Sequence, residues 1–429
     1  MSLFQDLSAR GLIKELSENA EHPLPALLDT PPQVVYAGFD PTGPSLHVGH
    51  LLPLLGLRRF QQAGHRVIAL AGGATGLVGD PSGRSSERNL LDEGTLRANV
   101  ASIKAQLERF LDLSPGSTGK LVDNLDWTGG LSLLAFLRDV GKHFTIQNML
   151  RKESVKNRIE REGEGLSYTE FSYMLLQAHD YLHLHRSEGC GLQIGGSDQW
   201  GNITCGIELI RRTCGTHAHG MTMPLLLNSD GTKFGKSEGK AVWLDPARTS
   251  PFAFRQFWFN TPDADVGQRL RFFSFLPVAE IEALERGLSE RPNEAQAKLA
   301  FELTALVHGK AEAEKVERAA RVLFKGEGDL RELPPEYLED AFEGAPLLAL
   351  PQARLEPPGL SLIDLLVETF HAAKPSKGAA RRDLEQGSIS LNGEKVSDLQ
   401  RALTRADLLH DRWVVLRKGK KSYHLVRFE

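Results

Sequence analysis

Four short apolar runs, each followed by a polar loop and then by helical periodicity, constrain the fold of this chain more than any other feature. Residues 33–39 (Gln-Val-Val-Tyr-Ala-Gly-Phe) form a β-branched run, and helical spacing follows from His47 to Ala63, stopped by Gly64. His65–Ala71 predicts a second strand ending at Gly72-Gly73, with a helix over 93–112. Lys120–Asp123 predicts a third, with helices over Leu131–Phe144 and Thr169–His183. Leu192–Ile194 predicts a fourth, then a turn at Gly195-Gly196 and a helix towards Cys214. Strands alternating with helices define an α/β doubly wound parallel sheet, Rossmann-like in kind. Ligands of such sheets sit beyond the carboxyl ends of the strands, so the loops after the four runs should converge on one cleft.

A length of 429 residues predicts two or three domains. The α/β domain is expected over 1–228. A Lys/Gly loop and a helical domain with periodic Phe and Leu follow over 229–344. Residues 345–358 hold four prolines and read as a linker. A small α+β domain should occupy 359–429. No apolar run reaches membrane-spanning length, and Met1–Gly11 reads as a polar amphipathic helix, not a secretory signal. The three cysteines lack a CxxC pair, which supports neither a disulfide framework nor a zinc site. Together these features predict a cytoplasmic protein with no membrane partner and no protein-held metal. The net charge of −4 is unevenly spread. Residues 359–429 carry 13 Lys and Arg against 9 Asp and Glu, and the rest carries 38 against 46. A basic tail on an acidic body fits nucleic-acid contact through the tail, or simply a solvated basic face.

The chemistry lies in the loops. After the first strand the chain reads Asp40-Pro-Thr42-Gly-Pro-Ser-Leu-His47-Val-Gly49-His50. Two histidines three apart at a helix start share one side of its first turn, beside free N–H groups and the positive dipole end, an anion site. Gly49 leaves room for a nucleotide to pack closely. About 180 residues downstream lies Gly231-Thr-Lys233-Phe-Gly-Lys236-Ser-Glu-Gly239. Its glycines permit movement, and its lysines can neutralise charge developing on a transferred phosphate. Arg84 and Arg88, in the loop after the second strand, are candidates to receive pyrophosphate, or are a solvated loop. On the helix over 169–183, Tyr173, Gln177 and Asp180 fall at i, i+4 and i+7 among Met174, Leu175, Leu176 and Leu182. That polar stripe points to a lined pocket, with a solvent-facing stripe as the alternative.

His47-Val-Gly-His50 and Lys233-Phe-Gly-Lys236-Ser237 resemble the HIGH and KMSKS signatures of the class I aminoacyl-tRNA synthetases. The departures, Val for Ile and Phe-Gly for Met-Ser, keep both histidines and both lysines. Tyr36–Thr42, Gly72–Gly83 and Gln193–Asn202 narrow the resemblance to the bacterial tyrosyl-tRNA synthetases, over essentially the whole chain. The resemblance implies activation of L-tyrosine by Mg-ATP to the adenylate, then transfer to the terminal ribose of tRNA(Tyr). It implies phosphate contacts from Thr42, His47 and His50, and mobile cations at Lys233 and Lys236. ATP would also meet Asp40 and Gly49, with Gly196 and Asp198 at its ribose. Tyrosine would meet Asp180 and Tyr36 at its phenol, and Tyr173, Gln177 and Asp80 at its α-ammonium. Gln199 would face its carboxylate. A homodimer is implied, with an interface insertion near 125–165.

The tail runs Lys377-Gly-Ala-Ala-Arg381-Arg382, then a Gly turn, a strand and an Asn392-Gly393 hairpin, and resembles a ribosomal-protein RNA-binding domain. Lys377, Arg381 and Arg382 on one helical side suit RNA phosphates. The alternatives are a tryptophanyl-tRNA synthetase, a non-catalytic RNA-binding relative and an unrelated nucleotidyltransferase. The first does not need Tyr36 and Asp180 at the ring end. The second leaves both signatures unexplained, and the third leaves the polar stripe unexplained.

Overall fold

The computed structural model describes residues 1–82, 91–159, 165–226, 234–237, 240–325, 328–342, 346–419 and 422–429, without the side chains of 154, 157, 236, 237 and 240. These residues form two compact units. One is Met1–Thr249 with Phe257–Leu303, and the other is Ser250–Gln256 with Thr304–Glu429. The first unit holds a six-stranded sheet of β1 (Glu15–Leu16), β2 (Val34–Phe39), β3 (Arg66–Ala71), β4 (Gly119–Asp123), β5 (Leu192–Gly196) and β6 (His219–Met223). Their order is β1-β6-β5-β2-β3-β4, and only the edge strand β1 runs antiparallel to its neighbour. The chain winds outward from β2 in both directions, so the order reverses between β2 and β5, where a doubly wound sheet opens a crevice. The expected α/β class is present.

The central strands are buried: β6 throughout and β3 at every position but its first. The helix Tyr168–Glu188 starts at Ser167, whose hydroxyl accepts from the Glu170 N–H, and stops at Gly189, with φ 67°. Its Met174, Ala178, Tyr181 and Leu182 pack with Tyr36, Ile68 and Leu70 into one core. Burial of such side chains contributes about 1.5–3 kcal/mol each, enough to hold a polar stripe inward on the same helix. Tyr173 and Asp180 are 4% and 2% exposed, which rules out a solvent-facing stripe for them.

Three expectations need correction. Gly195 and Gly196 are the last residues of β5, and the turn begins at Ser197. Residues 345–358 are not simply a linker, because Leu347–Leu350 forms an edge strand parallel to Ser422–Phe428. Pro346 and Pro351 bracket that strand without entering it, so its N–H groups remain available for pairing. The boundary expected at 228/229 is not where the units divide. The helix Asp263–Phe273 belongs with the first unit, whose buried Arg10 donates to the carbonyls of Arg271, Ser274 and Leu276 at 3.3, 3.2 and 2.6 Å.

In the second unit, Leu347–Leu350 and Ser422–Phe428 join Trp413–Lys418, Ile389–Leu391 and Glu394–Lys395 in a five-stranded sheet. The hairpin turns at Asn392 and Gly393, with φ 49° and 89°. The helix Lys377–Glu385 buries Ala380 and Leu384 and leaves Arg381 and Arg382 exposed.

Candidate functional site

A cavity of about 620 Å³ opens at the carboxyl ends of β2, β3 and β5. Its lining includes Tyr36, Asp40, Thr42, His47, Gly49, His50, Asp80, Tyr173, Gln177, Asp180, Gly196, Asp198 and Gln199. Three of the four expected loops therefore line it, and the loop after β4 reaches it through Asn124 and Trp127, which bond to Asp180. Phe234 and Gly235 of the second signature line the same space. Arg84, Arg88 and Lys233 lie outside the described residues, and Lys236 is described by its backbone alone.

The buried end is a continuous hydrogen-bonded chain. Tyr173 donates to Asp40 Oδ2 at 2.7 Å, and Thr75 donates to Asp40 Oδ1 at 2.7 Å. Asn124 Nδ2 donates to Thr75 Oγ1 at 3.0 Å and to Asp180 Oδ2 at 2.9 Å. Trp127 Nε1 donates to Asp180 Oδ1 at 2.8 Å. Burial raises the Asp180 carboxyl to about 7, outweighing the two donors that pull it down. Burial, and then the Asp180 charge, push the Tyr36 phenol well above its usual range. Among the described residues, the Tyr36 hydroxyl and Gln193 Oε1 are buried without a hydrogen-bond partner. An unpaired buried polar group costs about 1–3 kcal/mol, so both call for polar atoms from a ligand. A second cluster sits beside this chain. Asp80 accepts from the Ser82 N–H at 2.9 Å and from Gln199 Nε2 at 2.6 Å, and Asn202 donates to Gln177 Oε1 at 3.1 Å.

The other end is built on backbone. Val48–His50 is a single 3₁₀ turn leading into the helix Leu51–Gln62. His47 Nδ1 accepts from the Gly49 N–H at 3.0 Å, and His50 Nδ1 accepts from the His47 N–H at 3.1 Å. Two amides expected to be free for an anion are thus capped by the imidazoles themselves. With Nδ1 accepting, each neutral ring carries its proton on Nε2. A Cβ on Gly49 would lie 2.7 Å from His47 Cε1, so the cap requires glycine. Gly196 has a comparable constraint, since its Cβ would meet Asp198 Oδ1 at 2.6 Å. Val242 joins the two signatures: its N–H donates to the Gly235 carbonyl at 3.1 Å, and its carbonyl accepts from the Val48 N–H at 3.0 Å.

The sequence reading missed Thr75, Asn124, Trp127, Gln193 and Asn202. Asn124 and Trp127 follow β4, a strand end whose loop the same convergence rule covers. Gln193 was visible as a polar residue inside an otherwise apolar strand.

A family model described as tRNA synthetases class I (W and Y) matches residues 29–325, and one for a tyrosine–tRNA ligase SYY-like C-terminal domain matches 338–426. The tyrosine–tRNA ligase of Roseiflexus castenholzii is 51% identical over 429 residues, covering 99% of each chain. That of Geobacillus stearothermophilus is 49% identical over 432 residues, covering 100% of each. The solved C-terminally truncated mitochondrial tyrosyl-tRNA synthetase of Aspergillus nidulans is 36% identical, with a TM-score of 0.67 over 75% of this chain and 94% of that one. A tryptophanyl-tRNA synthetase from Aeropyrum pernix K1 shares the fold alone, at 18% identity, 74% and 87% coverage and a TM-score of 0.52. The chain belongs to the class I tRNA synthetases of the tryptophan and tyrosine type. Within that class, full-length identity near one half sets it among the tyrosine–tRNA ligases.

Proposed function

We propose that the cavity carries both steps of tyrosine–tRNA ligation. The tyrosine carboxylate oxygen attacks the α-phosphorus of ATP, and the bond to pyrophosphate breaks. The ribose hydroxyl at the end of tRNA(Tyr) then attacks the adenylate's carbonyl, and AMP leaves. The observation that carries this reading is the partnerless Tyr36 hydroxyl beside the doubly hydrogen-bonded Asp180. A phenol oxygen entering there donates to Asp180 and accepts from Tyr36. Phenylalanine leaves the buried Tyr36 hydroxyl unpaired and gives Asp180 no third donor, and is rejected for that reason. Tyr173, Gln177 and Asp80 hold the α-ammonium, and Gln199 faces the carboxylate.

Thr42, His47 and His50 meet the phosphates, with Nε2–H as the donor of each neutral ring. Asp40 and Gly49 lie along the nucleotide, and Gly196 and Asp198 at its ribose. Lys233 and Lys236 keep the cationic role that their motif implies, and Arg84 and Arg88 are assigned to the pyrophosphate. Phosphoryl-type transfer needs placement and charge stabilisation more than covalent help. Among the described residues, no group of three His, Cys, Asp or Glu is placed to hold a metal ion. Magnesium is assigned to the phosphates of ATP.

Several exposed apolar side chains lie in and beside the segment 125–165, including Leu133 at 71%, Leu134 at 79% and Tyr168 at 75%. They support a homodimer through this face. No helix among the described residues is long and apolar enough to cross a membrane, and the cytoplasm is the proposed location. In the second unit, Arg381 and Arg382 are exposed, and Lys377 pairs with Asp364 at 2.7 Å, a contact that RNA phosphate can replace. Because Leu347–Leu350 belongs to that unit's sheet, substitution tests its role better than truncation. Arg381→Ala with Arg382→Ala should raise the KM for tRNA and leave adenylate formation unchanged. The test of the whole reading is ATP–pyrophosphate exchange with tyrosine, tryptophan, phenylalanine or no amino acid. Exchange only with tyrosine supports it, and exchange with tryptophan, or none at all, refutes it.

A further inference from the structure

The second signature departs from its usual form by Phe-Gly, and the surroundings of those two residues are distinctive. The Phe234 ring lies 5.5 Å from Phe257, 5.5 Å from Trp258 and 5.7 Å from Phe273, stacked on the last at 24°. The Arg269 guanidinium sits 4.4 Å over the same ring. Trp258, Arg269 and Phe273 are buried, so this cage is part of the core and not a surface accident. Gly235 has φ 92°, and a Cβ there would stand 3.0 Å from Val48 Cγ2 and 3.5 Å from the Gly49 N. The positive φ favours glycine, and the approach to Val48 leaves little room for a side chain. Lys236–Ser237 then pairs with Lys240–Ala241, and the next residue, Val242, is bonded to both signatures. The Phe-Gly pair therefore has two jobs. The ring docks in a fixed aromatic socket, and the glycine lets the backbone turn against the histidine-bearing turn.

We propose that Phe234 is a positioning residue for adenylate formation. Docked between Phe257, Trp258, Phe273 and Arg269, it sets the register of the Phe234–Ser237 backbone, and with it the place of Lys236, against the 47–50 turn. The inference rests on the tyrosine-activation reading. Aromatic pairs and a desolvated cation over a ring are directional, so the socket fixes orientation as well as depth. A side chain that merely filled space would not need a guanidinium on one face and a stacked ring beside it.

The experiment compares the parent chain with Phe234→Ala and Phe234→Met, each tested for folding by thermal melting. Single-turnover tyrosyl-adenylate formation at saturating ATP and tyrosine gives the rate, and equilibrium dialysis gives the tyrosine Kd. Phe234 is half-buried, so its truncation should leave the core standing. Phe234→Ala should form adenylate roughly 10- to 100-fold more slowly, the effect of losing one or two aromatic contacts from the productive arrangement, with the tyrosine Kd within about twofold. Phe234→Met, flexible and able to set sulfur against the rings, should recover most of the rate. A Phe234→Ala rate close to the parent's overturns the proposal. So does a tyrosine Kd weakened in proportion to the rate, or a Phe234→Met variant as slow as Phe234→Ala. If the parent itself makes no tyrosyl-adenylate, the functional reading fails first and separately.

Discussion

The two ends of the cavity are held by different means. At the phenol end, side chains hold side chains: Asp180, Asn124, Thr75, Asp40 and Tyr173 form one hydrogen-bonded chain before any ligand arrives. At the phosphate end, the fold holds backbone, and the imidazoles are tied to amides of their own turn. The difference follows from what each end must do. Rejecting a wrong amino acid needs desolvated polar groups whose loss of a partner is costly, and those groups must be rigid. Stabilising charge that appears only during reaction needs donors aimed at a position not yet occupied. The first end should therefore be sensitive to deletion of any member, and the second to small changes of backbone shape.

The largest break should come from Asp180→Ala. It leaves the half-buried Trp127 indole N–H and one proton of the buried Asn124 amide without their acceptor, although Asn124 keeps its bond to Thr75, beside a Tyr36 hydroxyl already lacking a partner. At about 1–3 kcal/mol for each orphaned group, kcat/KM for tyrosine should fall roughly 100- to 1000-fold. The ATP Kd should move less than about threefold. Equal losses for both substrates, measured by exchange kinetics and nucleotide binding, would merge the two ends into one and defeat the contrast.

Gly49→Ala probes the other end next. The added Cβ, 2.7 Å from His47 Cε1 and 2.9 Å from Nδ1, pushes the ring off the Gly49 N–H. The rate of adenylate formation should drop about 10- to 100-fold, below the 10²–10³ of deleting a charge-stabilising donor outright. Tyrosine affinity should hold. A variant that binds tyrosine poorly but turns it over normally would place the histidine turn at the wrong end.

How far this contrast was legible in the sequence depends on how local each feature is. Tyr173, Gln177 and Asp180 sit on one helix, so their spacing alone gives a common face. The His47–His50 turn is likewise four consecutive residues. Asn124 and Trp127 reach Asp180 from more than fifty positions away, and no periodicity within a segment says which loop its side chains will meet. The proline-rich stretch misled for a different reason. The count of prolines over 345–358 reads as a linker, but their spacing leaves four unbroken residues, Leu347–Leu350, enough for an edge strand. Capping of the first signature by its own imidazoles is a matter of rotamer, which sequence does not carry.

Tyr36→Phe is a smaller and sharper test of the phenol end. The hydroxyl has no partner among the described residues, so the empty protein loses nothing when it goes. Thermal stability should stay level or rise by up to about 1 kcal/mol, because an orphaned buried group is removed. Tyrosine should then bind about tenfold more weakly, the effect of one neutral hydrogen bond. A destabilised variant would mean that Tyr36 Oη already serves the fold.

The smallest effect is a pH dependence, and its sign discriminates. Burial keeps the proton on Asp180 up to about 7 in the folded chain, whereas an unfolded chain loses it near about 4. The folded state thus binds the extra proton across that window, and this group's contribution to stability declines as pH rises through it, then levels off above about 7. The tyrosine phenol, protonated throughout that range, donates to the carboxylate, as Asn124 and Trp127 already do. Three donors on one carboxyl favour its ionised form. The competent fraction then grows with pH, and tyrosine affinity should rise about threefold between about pH 6.5 and about pH 7.5. Asp180→Asn should flatten the profile. An affinity that falls over the same interval would mean that a protonated Asp180 donates to the neutral phenol oxygen, and the specificity argument would be reversed.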